Sequence, residues 1–274
     1  MISPRVMHAL DPKEQISGSE EQISMTMSLS ASSGVSYGEH NEAWQTFESQ
    51  VRTLIAAHGC RSICDVGGGA NPLLSYEFIH SRGIDYTLLD ISAAELAKAP
   101  PGFTTLVADV CDSNLTSQAA GRFDLVFSKM VAEHVVSGEQ FHRNVFELLA
   151  PGGLAFHFFP TLYCPPFLVN RLIPESVSSC LLRVFAPRDK YQAAKFPAYY
   201  SWCRGPSRRM LRRFESLGYE VIQFRGFFGH NYFNRVPLLR QLHRGLTSAA
   251  VRYPLPSLTS YAFLVVRKPV AAGE

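Results

Sequence analysis

The chain has 274 residues, of which 46% are hydrophobic and 12% aromatic, and this composition excludes a wholly disordered protein. Its length suits one large α/β domain with insertions, or two small domains. No apolar run is long enough for a transmembrane helix, and the N-terminus shows no basic region followed by an apolar core. We therefore expect a cytoplasmic protein, and the six scattered cysteines without CxxC pairs agree with that compartment.

The net charge of +3 conceals a strong asymmetry between two parts of the chain. Residues 1–155 carry 9 Lys and Arg against 18 Asp and Glu, whereas residues 156–274 carry 17 against 5. The two balances are −9 and +12. This asymmetry favours either an anionic partner for the basic part or a solvated basic face on its helices, and the sequence leaves both open.

Residues 1–34 are rich in Ser, Glu, Gln and Met without a sustained period, which predicts a flexible extension ahead of a domain at 35–274. The segment 39–58 carries apolar residues at helical spacing and predicts an amphipathic helix.

From Arg61 onward, short apolar runs alternate with helix-like stretches. The runs are SICDV, DYTLLD, TTLVADV, FDLVFS, GLAFHFF, YEVIQF and SYAFLVV. Such alternation predicts βαβ units in a doubly wound, Rossmann-like α/β fold with a parallel sheet. A long segment rich in Pro and aromatic residues separates the fifth run from the sixth, and we predict a substrate-side insertion at 161–218. The helix-like stretch RVPLLRQLHRGL separates the last two runs.

A glycine turn follows the first predicted strand, in the segment DVGGG at 65–69. Glycine allows a tight turn and a close approach of the backbone to a ligand. Asp65 could engage an ammonium group, and a carboxylate there is a poor neighbour for a pyrophosphate. Pro72 replaces the third glycine of the dinucleotide fingerprint. We therefore predict a nucleotide-like ligand other than a dinucleotide, with a turn that binds nothing as the alternative. The predicted contacts are Asp65, Gly67, Gly68 and Gly69.

Two more acids end the next two predicted strands. Asp90, with Ile91 beside it, stands 25 residues after Asp65 and could accept hydrogen bonds from ribose hydroxyls. Asp109 could accept from an adenine amine while Val110 packs on the ring. Each acid alone could be a turn or helix-flanking residue. Together the three acids predict one binding edge, because ligands of open α/β sheets bind at the carboxyl ends of the strands.

The fourth predicted strand ends near Ser128, a further candidate for cofactor contact, so the residues after it lie beside the same edge. Among them is one histidine, His134, and because histidine side chains commonly act as general bases it is our candidate for that role. The alternative is that Glu133 and His134 pack at a helix start or line the cofactor.

These motifs together resemble the class I S-adenosylmethionine-dependent methyltransferases, in the branch related to quinone-biosynthesis enzymes. The resemblance covers about residues 39–160 and the last two strands. It implies a seven-stranded sheet whose last strand, near 259–267, is antiparallel. It also implies S-adenosylmethionine as cofactor, with Asp90 as the ribose-binding acid and Asp109 as the adenine-contacting acid. The chain lacks the metal-binding set of the catechol-methylating relatives and the Asn/Asp-Pro-Pro-Tyr-like motif of DNA-methylating ones, so we expect no metal and no DNA.

Aromatic residues concentrate after the last cofactor motif, where residues 156–233 hold 18 of the 32 in the chain. The basic run RGPSRRMLRR lies among them, at 204–213. Apolar pockets with a few polar groups suit small molecules, and arginine suits phosphate or carboxylate. An aromatic core and a solvated helix face are the alternatives. The candidate substrate-binding residues are Tyr163, Tyr199, Tyr200, Arg208, Arg209 and His230.

The sequence thus predicts methyl transfer from S-adenosylmethionine to a small-molecule or lipid-like acceptor, which the basic run would suit if the acceptor is anionic. Peripheral contact with a membrane is compatible with this prediction, and RNA is a less favoured partner. A non-catalytic cofactor-binding subunit, an RNA methyltransferase and, more distantly, a nicotinamide-dependent enzyme remain as alternatives. Neither the acceptor nor the oligomeric state can be predicted.

Overall fold

The computed structural model describes residues 34–162, 197–231, 233 and 237–270. They form one eight-stranded sheet in the order β1-β7-β8-β6-β5-β2-β3-β4. The strands are β1 (Gly34–Glu39), β2 (Ser62–Val66), β3 (Asp85–Asp90), β4 (Thr104–Val107), β5 (Phe123–Lys129), β6 (Leu149–Pro160), β7 (Glu220–Phe228) and β8 (Tyr261–Arg267).

Seven described helices accompany the sheet, and a short 3₁₀ helix spans Pro256–Leu258. The helices are α1 (His40–His58), α2 (Tyr76–Ser81), α3 (Ala93–Leu96), α4 (Leu115–Ala119), α5 (Gly138–Leu148), α6 (Arg208–Ser216) and α7 (Pro237–Arg252). None of the helices in the described ranges is long and apolar enough to cross a membrane.

The Rossmann-like α/β class predicted from the sequence is confirmed. All seven predicted strands are present, and β8 runs antiparallel to both of its neighbours, β6 and β7. The sheet also has an eighth strand, β1, which pairs in parallel with β7 at one edge. This strand begins at Gly34, the last residue assigned to the flexible extension, and the remainder of that extension lies outside the described residues.

The core lies on both faces of the central strands. In β5, Leu125, Val126 and Phe127 are fully buried, because α1 and α5 cover opposite sides of a strand that has neighbours on each edge. Phe47 of α1 contacts the ring of Phe156 in β6, with 4.8 Å between the centroids. A polar residue caps α5, whose Ser137 hydroxyl accepts from the Gln140 N–H.

The order of the strands determines where a ligand can bind. From β2 the chain continues to β3 and β4 on one side, whereas β5 and β6 lie on the other. This reversal between β2 and β5 opens a crevice at the carboxyl ends of the strands, the usual ligand position in open α/β sheets.

Candidate functional site

The glycine turn lies at this reversal. Gly67 adopts φ 77°, and its N–H donates to the Leu89 carbonyl at 2.7 Å. A Cβ on Gly67 would overlap Cγ2 of Val131, in the loop after β5. Both the positive φ and this close approach require glycine at position 67. The glycine turn therefore packs directly against the loop after β5.

Asp90 faces the other end of the turn. Its Oδ1 accepts from the Ser92 N–H at 2.8 Å, which fixes the carboxylate. A Cβ on Gly69, at φ 43°, would lie 3.0 Å from Oδ2 of Asp90. The structure therefore brings the predicted ribose acid and the glycine turn into close contact, and a side chain on Gly69 would crowd the carboxylate.

Asp65 lies beneath the turn, buried. Its Oδ2 accepts from the Tyr86 hydroxyl at 2.7 Å and from the Leu73 N–H at 3.1 Å. Burial raises the pKa of Asp65 to about 6, against the opposing effect of these two hydrogen bonds. The carboxylate thus holds the segment after the glycines in place, and its contact with a ligand's ammonium group stays a prediction.

The remaining predicted cofactor contacts, Ile91, Asp109 and Val110, differ in exposure. Ile91, directly after Asp90, is 64% exposed at the strand end and offers an apolar surface. Asp109 is exposed, and its Oδ1 accepts from the Cys111 N–H. Val110 is buried instead, and its carbonyl accepts from the Asn144 amide at 2.9 Å. Ile91 is therefore better placed than Val110 to pack on a ring.

Ser128 is also fully buried, and its hydroxyl lies 2.8 Å from Nδ1 of His157 in β6. Burial lowers the pKa of His157 to about 3. The ring of His142 lies beside it, and the pKa of His142 is well below its ordinary value, first because of burial and then because of repulsion by His157. The pair is therefore neutral at physiological pH. Ser128 is used here in the core, and its direct contact with a cofactor stays a prediction.

The loop after β5 carries His134. Its backbone N–H donates to the carbonyl of Val131, the residue that contacts the glycine turn. Nδ1 lies 2.9 Å from the Pro197 carbonyl, which can only accept, so Nδ1 carries the proton. In the neutral ring Nε2 is then the basic nitrogen. Nε2 lies 3.7 Å from Oε1 of Glu133.

Glu133 is a buried carboxyl. Burial raises its pKa to about 8, and its Oε2 has no hydrogen-bond partner among the described residues. Its backbone carbonyl accepts two N–H groups, from Tyr199 at 2.7 Å and from Tyr200 at 3.0 Å. Glu133 thus joins the loop after β5 to the segment that precedes α6.

The segment 197–204 forms a wall beside His134. Tyr199 is exposed and Tyr200 is buried, so of these two predicted substrate residues Tyr199 presents more surface. Met130, Tyr200 and Trp202 have φ of 58°, 52° and 60°. Such conformations cost about 1–3 kcal/mol each in a residue with a side chain, and they cluster at functional sites.

The predicted basic residues Arg208 and Arg209 lie exposed in the first turn of α6. The guanidinium of Arg213 lies over the Trp202 ring, 5.1 Å from its centroid. Partial burial and then the positive charges of Arg209 and Arg204 lower the pKa of Arg213. The arginines therefore form a positive cluster beside the segment 197–204. Tyr163, the remaining predicted aromatic contact, lies outside the described residues.

His230 lies elsewhere on the same edge. It follows β7, three strands from β5, which is about 14 Å across the sheet. It is buried, its N–H donates to Nε2 of His243 at 3.1 Å, and the two rings are 4.1 Å apart. The structure therefore does not bring it beside His134. Within the described ranges, no group of three or more His, Cys, Asp or Glu side chains is arranged to hold a metal ion.

Two contributors to the site have only weak signals in the sequence. The Tyr86 hydroxyl donates to the buried Asp65 carboxylate, but in the sequence Tyr86 is only one residue of a predicted apolar strand. Val131 packs on Gly67, and only the position of the loop after β5 could have pointed to it.

The sequence matches the profile of a family described as a methyltransferase domain over residues 39–244, more than half of the chain. No curated protein matches it.

Solved structures show similar folds. An S-adenosylmethionine-dependent methyltransferase from Mesorhizobium loti is 18% identical, covers 80% of this chain and 97% of its own, and has a TM-score of 0.45. One from Archaeoglobus fulgidus is 15% identical, covers 83% and 97%, and has a TM-score of 0.48. A phosphoethanolamine N-methyltransferase of Haemonchus contortus, in complex with S-adenosylmethionine, is 15% identical and covers 81% and 52%, with a TM-score of 0.46. The match over residues 39–244 carries the assignment: this chain belongs to the methyltransferase-domain family.

Proposed function

We propose that this methyltransferase transfers a methyl group from S-adenosylmethionine to a small-molecule or lipid-like acceptor that carries negative charge. The contact between Gly67 and Val131 carries the proposal, because it puts the glycine turn and Asp90 beside the loop that holds His134. A cofactor site and a candidate base thereby meet in one crevice.

The residues present fit an adenosyl cofactor. Asp90, beside the glycine turn, offers carboxylate oxygens to the hydroxyls of a sugar, and the exposed Ile91 offers an apolar surface to a base. Bound S-adenosylmethionine supplies an electrophilic methyl group on a positively charged sulfur. The crevice must then mainly align the acceptor with that methyl group.

His134 is the group placed to manage the acceptor's proton. The Pro197 carbonyl holds its Nδ1–H, so Nε2 can accept the proton that an acceptor hydroxyl, amine or thiol loses on methylation. Tyr199, which the Glu133 carbonyl holds next to His134, provides part of an aromatic wall for the acceptor.

We expect Asp90→Ala to weaken the binding of S-adenosylmethionine and S-adenosylhomocysteine about five- to 150-fold, since it removes hydrogen bonds to a charged acceptor. Isothermal titration calorimetry measures both affinities without an acceptor. The matched control is Asp85→Ala, at the opposite end of the same strand. Equal affinities of the two variants would remove Asp90 from the site. Binding of NAD without binding of either sulfur compound would exclude the proposed cofactor.

The arginine cluster supports the anionic acceptor. We expect Arg208→Glu with Arg209→Glu to raise the KM of an acceptor that carries carboxylate or phosphate, while cofactor affinity stays unchanged. Added salt should reproduce part of the effect, because both side chains are exposed. The assay compares apolar acceptors that bear a hydroxyl, amine or thiol, each with and without the anionic group.

The control for this charge change is Arg52→Glu with Arg82→Glu, since these arginines flank Phe78 away from the crevice. If this control and the Arg208→Glu with Arg209→Glu variant have equal kinetics at low and at high salt, the arginine cluster is only a solvated helix face. Turnover only with single-stranded RNA would favour the RNA-methylating alternative. Cofactor binding without turnover across the whole panel would favour a non-catalytic subunit.

A further inference from the structure

Helix α7 presents its leucines to solvent. Leu238, Leu239, Leu242 and Leu246 are between 39% and 77% exposed. Surface helices of globular proteins ordinarily turn such a face towards the core. Helix α7 is therefore turned the other way round, with its apolar leucines facing solvent and not the sheet.

The geometry of the helix makes these leucines one continuous face. At about 100° per residue, the four leucines span an arc of about 100°. Thr247, the one buried residue of α7, lies about 130° around the helix from the centre of this arc, and His243, which accepts from the His230 backbone N–H, lies between Thr247 and the leucines. Polar contacts thus hold α7 on the domain, and the apolar arc remains on the outside.

The exposed apolar surface continues beyond the helix. Tyr253, Leu255 and Leu258 are between 46% and 71% exposed, around the short 3₁₀ helix at Pro256–Leu258. A convex row of leucines that ends at an exposed tyrosine is typical of a segment lying at a membrane surface. We call α7 together with residues 253–258 the leucine face.

The stretch of chain that contains this face carries charges of a single sign. Residues 221–273 contain seven Lys and Arg and no Asp or Glu. Arg252 lies exposed on α7 about 40° around the helix from Leu238, and its guanidinium lies over the Tyr253 ring, whereas Arg244 is exposed on the other side of the helix. Basic residues next to an exposed apolar face complement the negative surface of an anionic bilayer.

We propose that the leucine face binds the surface of an anionic lipid membrane, with the leucines in the interface and Arg252 on the headgroups. A Cβ on Gly229, just after β7, would lie 3.0 Å from Oγ1 of Thr247, so α7 packs at the sheet edge that also carries the glycine turn. Membrane binding would therefore hold that edge close to the lipid.

Flotation of the full chain with vesicles tests the proposal. We expect binding to vesicles of equal parts phosphatidylglycerol and phosphatidylcholine, little binding to pure phosphatidylcholine, and release by added salt. Leu238→Ser with Leu242→Ser should lower the partition coefficient about ten- to a hundredfold. Arg252→Gln should lower it about fivefold. Hydrogen exchange in residues 237–252 should slow when anionic vesicles are added.

The controls are matched to each change. Val270→Ser removes an exposed apolar side chain beside Gly152, at the opposite edge of the sheet, and Arg143→Gln removes the same single charge as the Arg252 change. Unchanged thermal unfolding midpoints verify that the variants fold. Asp90→Ala should bind vesicles like the parent, which separates this proposal from the proposed methyl transfer.

Failure of the full chain to bind anionic vesicles would overturn the proposal. Equal losses of vesicle binding in the Leu238→Ser with Leu242→Ser variant and in the Val270→Ser variant would overturn the proposal as well. A dimer that the leucine changes dissociate in sedimentation runs, together with absent vesicle binding, would assign the face to a second copy of the chain. Capture of an acidic protein in place of vesicles would also contradict it.

Discussion

Replacing His134 with alanine is expected to lower turnover about 10²–10⁴-fold while the affinity for S-adenosylmethionine stays nearly unchanged. The reason is geometric. The Nδ1–H of His134 is held by the Pro197 carbonyl, which leaves Nε2 as the basic nitrogen of the neutral ring. Release of S-adenosylhomocysteine with an acceptor from the panel measures turnover, and calorimetry measures cofactor affinity.

A second substitution separates proton transfer from positioning. His134→Asn can still donate from near the position of Nδ1 to Pro197, but it has no group equivalent to Nε2. If His134 is the base, both variants lose turnover. If His134 only tethers the segment at 197, the asparagine variant recovers the activity. His58→Ala, an exposed histidine at the end of α1, is the control. Unchanged turnover of the alanine variant would remove His134 from the mechanism.

The central strands could be predicted because their signal is local. Strands buried on both faces are runs of apolar residues, as in DYTLLD and FDLVFS, and a parallel sheet requires helices between them. Strand β1 has no such signal. Its sequence GVSYGE contains two glycines and lies at an edge, and its partner β7 follows almost 200 residues later. A pairing of that range leaves no trace in a short stretch of sequence.

The parts of the site that lie at strand ends could be predicted for the same reason. The glycine turn, Asp90 and His134 each follow an apolar run, and strand direction alone brings them to one edge. Which way a side chain faces depends on the neighbouring strand. Ser128 meets His157, and Val110 is buried, because of contacts made by elements later in the chain. Those contacts have no local signature.

Glu133 shows most clearly which property of the site cannot be predicted from the sequence. A glutamate beside a histidine predicts a charged pair, but the segment 197–204 buries this carboxyl and raises its pKa to about 8. The two stretches are more than sixty residues apart. Burial of an ionisable group is a property of the packed structure, so the protonation state follows only from the fold.

The raised pKa of Glu133 predicts how stability depends on pH. The folded carboxyl has a pKa of about 8, against an ordinary value of 4.5. Between these values the folded protein holds a proton that the unfolded chain has lost, so the free energy of unfolding falls as pH rises, by at most about 1.4 kcal/mol per pH unit. Asp65 acts in the same direction below pH about 6. Buried His142 and His157 act in the opposite direction, but only below their ordinary value of 6.5.

Glu133→Gln isolates this contribution, because it keeps the shape of the neutral acid and cannot ionise. Urea unfolding of parent and variant at a series of pH values should give similar free energies near pH 5. Towards pH 9 the variant should become the more stable by roughly 3–5 kcal/mol, the order of magnitude set by the pKa difference. The hydrogen bonds from Tyr199 and Tyr200 survive, since they go to the backbone carbonyl. Glu139→Gln, an exposed glutamate paired with Arg143, should give a nearly constant difference from the parent. A constant difference for Glu133→Gln as well would mean that this carboxyl is ionised in the folded protein, and the neutral acid beside His134 would have to be abandoned.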